Sequence, residues 1–219
     1  MKQFTMIVIK INEMINFMNK FIAIVGSNSS KSTNRELLKY MQRHFKSQAE
    51  IELVEIKGLP IFKKSANKYV PQTARNIAKK IEAADGVIIA TPEYDHSIPA
   101  VLSSALAWLS YGIHPFVDKP VMITGASYGS LGSSRAQAQL RQILDSPELK
   151  ARIMPSSEFL LGHSLQAFDD NDNLKDIEIT EQLNGLFKDF LQFVNISKQL
   201  NNANVVNKQQ AEQFLWDKD

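Results

Sequence analysis

Three short runs, at 21–25 (FIAIV), 87–90 (VIIA) and 121–123 (VMI), are apolar at every position rather than at every second one. A strand with one wet face alternates apolar and polar residues. A strand without that alternation has both faces covered, the condition of a parallel strand between two layers of helix. Between and after these runs lie stretches with helical periodicity, near 35–46, 71–84, 101–109, 134–144 and 177–194. The last carries Ile179, Leu183, Leu186, Phe187 and Phe190 along one side.

Two further runs, at 51–56 (IELVEI) and 151–161 (ARIMPSSEFLL), complete five strand–helix units, and Glu52 and Glu55 mark the second strand as a sheet edge. The pattern predicts an α/β fold, a flavodoxin-like three-layer sandwich around a five-stranded parallel sheet of order 2-1-3-4-5. Five strands fall short of the six of a dinucleotide fold.

At 219 residues and 44% hydrophobic content the chain suits one core. We assign 18–199 to that domain, 1–17 to an N-terminal extension, and 200–219 to a polar tail or a short accessory helix around 211–216. Met18 stands directly before the first strand as a natural start. Lys and Arg number 25 against 23 Asp and Glu, a net charge of +2, which does not suit nucleic acid as a partner. The absence of cysteine excludes disulfides, thiolate catalysis, iron–sulfur clusters and cysteine zinc sites. No apolar run reaches the length of a membrane helix, and the patch 6–11 is interrupted by Lys10 and followed by no cleavage site. A cytoplasmic protein with no membrane partner is expected.

In the order 2-1-3-4-5 the loops leaving strands 1, 3 and 4 border one crevice. After strand 1, the loop 26–35 carries the hydroxyls of Ser27, Ser29, Ser30, Ser32 and Thr33, with Lys31 and Asn34. Hydroxyls, backbone N–H groups and the positive end of a helix make an anion cradle, although a serine-rich loop that merely caps its helix has the same composition. After strand 3 comes 91–110 (TPEYDHSIPAVLSSALAWLS). Pro92 ends sheet pairing and Pro99 suits a first helical turn, so Glu93, Tyr94, Asp95, His96 and Ser97 are displayed on an extended course between them. The helix beyond anchors the loop through Val101, Leu102, Ala105, Leu106 and Leu109. After strand 4, Gly125-Ala126-Ser127-Tyr128-Gly129-Ser130-Leu131-Gly132 lets backbone approach a flat ligand closely.

The strand 1 loop has neither the Walker spacing nor a G-x-G-x-x-G fingerprint. The strand 4 loop matches G-x-S-x-G, which would make Ser127 a hydrolase nucleophile on a strand-to-helix elbow. Gly129, Ser130 and Gly132 intervene before any helix, His163 is the only downstream histidine, and no oxyanion segment of the HGG type exists. The hydrolase reading is rejected.

Taken together, Gly26-Ser27 through Ser32-x-Asn34-Arg35, Pro92-Glu93-Tyr94 with Ser97-Ile98-Pro99, and Gly125-Ala126-Ser127-x-Gly129 with Arg135-Ala136-Gln137 resemble the NADPH-dependent FMN reductase family, which includes azoreductases and chromate or quinone reductases. The resemblance implies non-covalent FMN, with NADPH or NADH as donor and a small-molecule acceptor: quinones, azo or nitro compounds, or free flavin. It implies that Ser27, Ser32, Thr33 and Asn34, with Ser29 of the same cradle, hold the FMN phosphate. Pro92, Glu93, Tyr94, Asp95 and His96 would line the ribityl chain and ring, and Ser127, Tyr128 and Gly129 would flank the isoalloxazine. It also implies a homodimer or homotetramer.

Relatives usually carry Leu-Arg where this chain has Asn28-Ser29, Asn where Asp95 stands, and Asn and Asp where Ser104 and Ala107 stand. Lys31 either replaces the missing arginine charge or faces solvent. Bound flavin carries the redox chemistry, so no residue is assigned as a catalyst and no metal site is expected. Tyr94 and Tyr128 fit either stacking at the ring or filling the loop–core interface. His96 fits a flavin edge or solvent, and Arg135 and Arg141 fit a 2′-phosphate, a neighbouring subunit or an exposed helix face. Trp108 fits core or oligomer contact. The alternative functions are a flavodoxin-type electron carrier and a flavin-binding redox sensor.

Overall fold

The computed structural model, which describes residues 18–65, 67, 69–155, 158–200 and 204–213, sets the apolar runs side by side in one parallel sheet. The strands are β1 (Asn19–Val25), β2 (Ala49–Glu55), β3 (Gly86–Ala90), β4 (Pro120–Ala126), β5 (Arg152–Ile153) and β6 (Phe159–Leu161). The helices are α1 (Thr33–His44), α2 (Gln72–Ala83), α3 (Ala100–Trp108), α4 (Ser134–Leu144), α5 (Ile177–Gln199) and α6 (Asn204–Gln213). The order is β2-β1-β3-β4-β5, with β6 also paired to β4, as the sequence pattern predicts. The extension 1–17 lies outside the described residues.

Both faces of the central strands are dry, which accounts for the missing alternation. Ile22, Ile24, Val87, Ile89, Val121 and Ile123 point to one side and pack on α2, α3 and α4 through Ile77, Ile81, Leu102, Leu106 and Leu140. Phe21, Ala23, Val25, Ile88, Ala90 and Met122 point to the other and meet α1 and α5 through Leu37, Met41, Leu183, Phe187 and Phe190. Each large side chain so buried contributes about 1.5–3 kcal/mol of transfer free energy. Strand β2 is the edge, and its outward carboxylates are paired: Glu52 with Lys80 at 2.6 Å and Glu55 with the Arg35 guanidinium at 2.5 and 2.9 Å.

Two details depart from expectation. The run 151–161 is two strands: β5 pairs with Pro120 and Val121, and β6 pairs with Thr124, Gly125 and Ala126. The ladder reaches the Met154 N–H, bonded to Val121 O at 2.8 Å, and stops before Pro155, which has no N–H to continue it. The C-terminal helix α6 begins at Asn204, ahead of the stretch expected, and 214–219 lie outside the described residues. Asn204 and Asn207 donate to the Asp118 carboxylate at 3.2 and 2.9 Å and hold it at the amino end of the sheet.

Trp108 belongs to the core, its Nε1 donating to Pro60 O at 2.7 Å, and the Ser104 hydroxyl accepts the Phe62 N–H at 2.6 Å. These bonds tie the loop after β2 to α3.

Register brings the carboxyl ends level: Val25 lies opposite Ala90, and Ala90 opposite Thr124. The chain leaves β1 at Gly26, whose N–H bonds Ala90 O at 2.8 Å, and a Cβ there would meet that same oxygen at 2.5 Å. Gly26→Ala is therefore expected to lower stability by about 1–3 kcal/mol, read as a fall in the urea midpoint at unchanged m.

Candidate functional site

The loop after β1 is shaped by its own hydroxyls. Ser27 Oγ accepts the Ser29 N–H and Ser29 Oγ accepts the Lys31 N–H, both at 3.2 Å. Ser32 is the N-cap of α1, its Oγ accepting the Arg35 N–H at 3.3 Å. The Arg35 guanidinium reaches back to Ser29 O at 2.7 Å while its other nitrogens hold Glu55. The loop thus ends on the positive pole of a helix, with Ser27, Ser32, Thr33 and Asn34 buried around it.

Two of these residues also bind the loop to its neighbours. Thr33 Oγ1 lies 2.8 Å from Ser164 Oγ beyond β6. Asn34 donates Nδ2 to Ala126 O at 2.8 Å and accepts the Ala126 N–H on Oδ1 at 2.9 Å. Its amide is consequently engaged by the end of β4, so its part at the site is to place the cradle.

The loop after β3 is not an extended bridge between its prolines. Tyr94 and Ser97 exchange backbone hydrogen bonds at 3.0 and 2.9 Å, and the two residues between them, Asp95 and His96, have φ of 49° and 64°. That is a two-residue turn with both central residues left-handed, a conformation Asp tolerates better than most. Pro99 acts as the N-cap of α3 rather than its first residue, its carbonyl accepting the Leu102 and Ser103 N–H groups.

Glu93 fixes this loop to α4. The N-cap position of α4, Ser133, is left-handed at φ 70° and makes no side-chain cap bond. The Glu93 carboxylate supplies the cap from outside, accepting the backbone N–H of Arg135 at 3.0 Å and of Ala136 at 3.3 Å, and Nη1 of Arg135 at 3.2 Å. Gln139 accepts the Ile98 N–H at 2.8 Å and secures the loop's far end. His96 Nδ1 accepts a hydrogen bond from Arg135 Nη1 at 2.7 Å, because a guanidinium can only donate, so its 3.4 Å approach to Glu93 is a contact. Burial opposes ionisation of Glu93, but the bonds from Ala136 and Arg135 outweigh it and hold its pKa below the ordinary value.

The loop after β4 is braced by the segment after β6. Ser127 N–H bonds Leu161 O, Ser164 N–H bonds Ser127 O, and His163 N–H bonds Gly129 O, at 2.9–3.0 Å. Ser127 Oγ donates to Gly129 O at 3.1 Å, and α4 begins only at Ser134. The nucleophile-elbow geometry is absent. Tyr128 stands 58% exposed, with its hydroxyl 3.5 Å from Lys31 O across the crevice.

The three loops enclose a cavity of about 490 Å³ at the carboxyl edge of the sheet. It is lined by every residue nominated from sequence (Ser27, Ser29, Ser32, Thr33, Asn34, Pro92, Glu93, Tyr94, Ser127, Tyr128 and Gly129) apart from Asp95 and His96. The turn carries those two to its exposed tip. Lys31, Ala126, Ser130, Leu131 and Ser133 line it as well. Lys31 and Leu131 sit in loops already singled out. The bracing Ser164 carried no sequence signal, because its role comes from the position of β6, which the pattern did not separate. Arg141 is directed elsewhere, to Met154 O at 2.9 Å.

The cavity fits a flavin mononucleotide. Its volume lies in the range of cofactor sites, the β1 loop contributes hydroxyls and a helix N-terminus, and Tyr94, Tyr128 and Leu131 contribute apolar wall. A Cβ at Gly129 would meet no protein atom within 4 Å, so the missing side chain leaves backbone bare along the cavity rather than relieving packing. The fold and this cavity define a flavodoxin-like nucleotide-binding protein.

The model of the NADPH-dependent FMN reductase family matches residues 19–166, and the chain belongs to that family. It is 54% identical over 197 residues to the NADH:(hydroxy)cinnamate reductase subunit CrdA of Vibrio ruber, covering 90% of this chain and 96% of that one. It is 44% identical over 180 residues to the NADH-dependent flavin reductase subunit 2 of Lactobacillus johnsonii, covering 80% and 97%. Among solved structures it resembles the flavoenzyme NAD(P)H:(acceptor) oxidoreductase FerB of Paracoccus denitrificans, with a TM-score of 0.73, 25% identity, and coverage of 82% and 99%.

The Glu93 cap carries a pH signature. A carboxylate whose folded pKa is depressed adds stability that is present above its unfolded pKa, near 4.5, and lost as pH falls through the folded value. Glu93→Gln should cost about 1–2 kcal/mol at pH 7. The difference from wild type should narrow by pH 4 and close below it, as measured by urea unfolding at each pH.

Proposed function

We infer that the protein is an FMN-dependent NAD(P)H oxidoreductase that delivers electrons to flat conjugated acceptors: quinones, azo or nitro compounds, or free flavin. The observation that carries this reading is the cavity itself, lined by an anion cradle and two exposed tyrosines, at the carboxyl edge of a flavodoxin-like sheet. Bound FMN would supply acceptance of a hydride from the nicotinamide and its onward transfer as electrons.

The rest falls to the chain. Ser27, Ser29, Ser32 and Thr33, with the α1 N-terminus, would bind the phosphate through charge-assisted hydrogen bonds of about 1.5–3 kcal/mol each. Lys31 would add charge there. Asn34 holds the cradle at the end of β4, and Glu93 holds Pro92 and Tyr94 against α4. Tyr94 and Tyr128 would flank the ring and narrow water's access to it, while Ser127 and Gly129 present backbone along its edge. No side chain need serve as acid or base, and none is assigned as a catalyst.

The named activities of the two curated relatives, on (hydroxy)cinnamate and on flavin, both involve flat conjugated molecules, and both relatives are named as subunits. We place the protein in the cytoplasm as a homodimer or homotetramer. No helix among the described residues is long and apolar enough to cross a membrane. The domain plan assigns 18–199 to the flavin-binding unit, 1–17 to an extension, and 200–219 to an accessory tail.

The phosphate end can be tested apart from the ring end by titrating apoprotein with FMN and with riboflavin. Lys31→Ala should weaken FMN about tenfold, or 1.4 kcal/mol, and riboflavin less than twofold. Equal losses for both would remove the phosphate from this loop. Protein that binds neither flavin would remove the reductase reading altogether.

A further inference from the structure

The family description specifies NADPH, yet the charges around this cavity are poorly suited to it. NADPH differs from NADH by one 2′-phosphate, about 1.5 to 2 additional negative charges near neutral pH. A site that prefers it needs a cation free to meet that group. Among the residues lining the cavity Lys31 is the single cation, and it lies in the cradle that the flavin phosphate would occupy. Arg135, the arginine nearest the Pro92–Tyr94 wall in the bonding network, is held by Glu93 and His96 at 3.2 and 2.7 Å. Arg141 turns to Met154.

One carboxylate beside the cavity is not neutralised. Asp95 follows Tyr94 of the cavity wall, so the two Cα atoms are about 3.8 Å apart. Its side chain enters no salt bridge among the described residues. It cannot easily withdraw, because the Tyr94–Ser97 backbone pair and the left-handed turn hold it at the tip of a short hairpin. The neighbouring loop residues do not cancel its charge: Glu93 is matched by Arg135, and the Lys31 charge faces a dianionic phosphate once flavin is bound.

We propose that this carboxylate makes the site selective for NADH over NADPH, with Asp95 repelling the 2′-phosphate at the cavity rim. The proposal rests on the reductase reading above and assigns its donor. At physiological ionic strength the field of an exposed charge extends about 8 Å before screening. That is enough to act on an adenosine ribose passing the rim without direct contact. Asp95 is thereby a specificity determinant and touches no reacting atom.

The test uses the FMN-loaded full chain and the Asp95→Asn variant, since Asn tolerates the left-handed turn at least as well as Asp. Steady-state kinetics with NADH and NADPH are run at low and high salt, and NAD⁺ and NADP⁺ binding is measured by calorimetry. Wild type should favour NADH by about tenfold or more in kcat/KM and NAD⁺ over NADP⁺ in affinity. Asp95→Asn should reduce both preferences about three- to tenfold, and added salt should narrow the wild-type preference more than the variant's. A wild-type ratio near one, or a ratio unchanged in Asp95→Asn, overturns the proposal. Failure of both donors to reduce the bound flavin would instead strike the reductase reading, and the binding measurements would still decide between the two dinucleotides.

Discussion

The amide of Asn34 bonds the backbone of Ala126 in both directions, and the crevice depends on that pair of contacts. One loop follows β1 and the other follows β4, with β3 between them in the sheet. Parallel register makes the strand ends level, but level ends alone would leave two independent loops over a flat edge. The buried amide ties them into one frame. An unpaired donor or acceptor left at that depth costs about 1–3 kcal/mol, so the frame is favoured over alternatives in which either loop moves away. Thr33, paired with Ser164, repeats the device one residue earlier and brings the segment after β6 into the same frame.

The middle wall is held by a different kind of interaction. Helix α4 starts from a left-handed Ser133 that makes no side-chain cap bond, so its first N–H groups need an acceptor from elsewhere. Glu93 meets that need and thereby fixes Pro92 and Tyr94 relative to the glycine loop. The same bonds neutralise Arg135. A helix N-terminus and an arginine that would otherwise attract an anion are occupied by a carboxylate of the protein, leaving α1 and Lys31 as the anion-attracting end of the cavity. Polarity along the cavity follows: phosphate-friendly at the β1 loop, aromatic and apolar between Tyr94, Tyr128 and Leu131.

Much of this was legible in the sequence because strand runs and loop composition are local properties. The apolar runs located the central strands, and the hydroxyl-rich, proline-bracketed and glycine-rich loops located the walls. What escaped were features set by partners distant in sequence. Pro155 splits the fifth strand only because β4 offers two separate stretches for pairing. Asp95 and His96 looked like residues on an extended path because nothing local shows that Tyr94 and Ser97 pair. Glu93 was nominated as a cavity-lining residue, and what the sequence did not show is that its carboxylate is engaged 42 residues away. Asn34 was nominated for the cradle from its loop, but its bond to Ala126 lies 92 residues along the chain.

The turn at Asp95 joins these observations. A left-handed pair of residues in a two-residue hairpin admits Asn, Asp or Gly with little strain, so the backbone alone accepts either Asn or Asp at this position. The choice between them is then free to be made by charge. Because Glu93 has already matched the nearby arginine, a carboxylate here adds negative potential that no neighbouring side chain removes. The cap on α4 and the charge at the rim are in this sense one arrangement. The first fixes the wall and uses up the cation, and the second acts because that cation has been used.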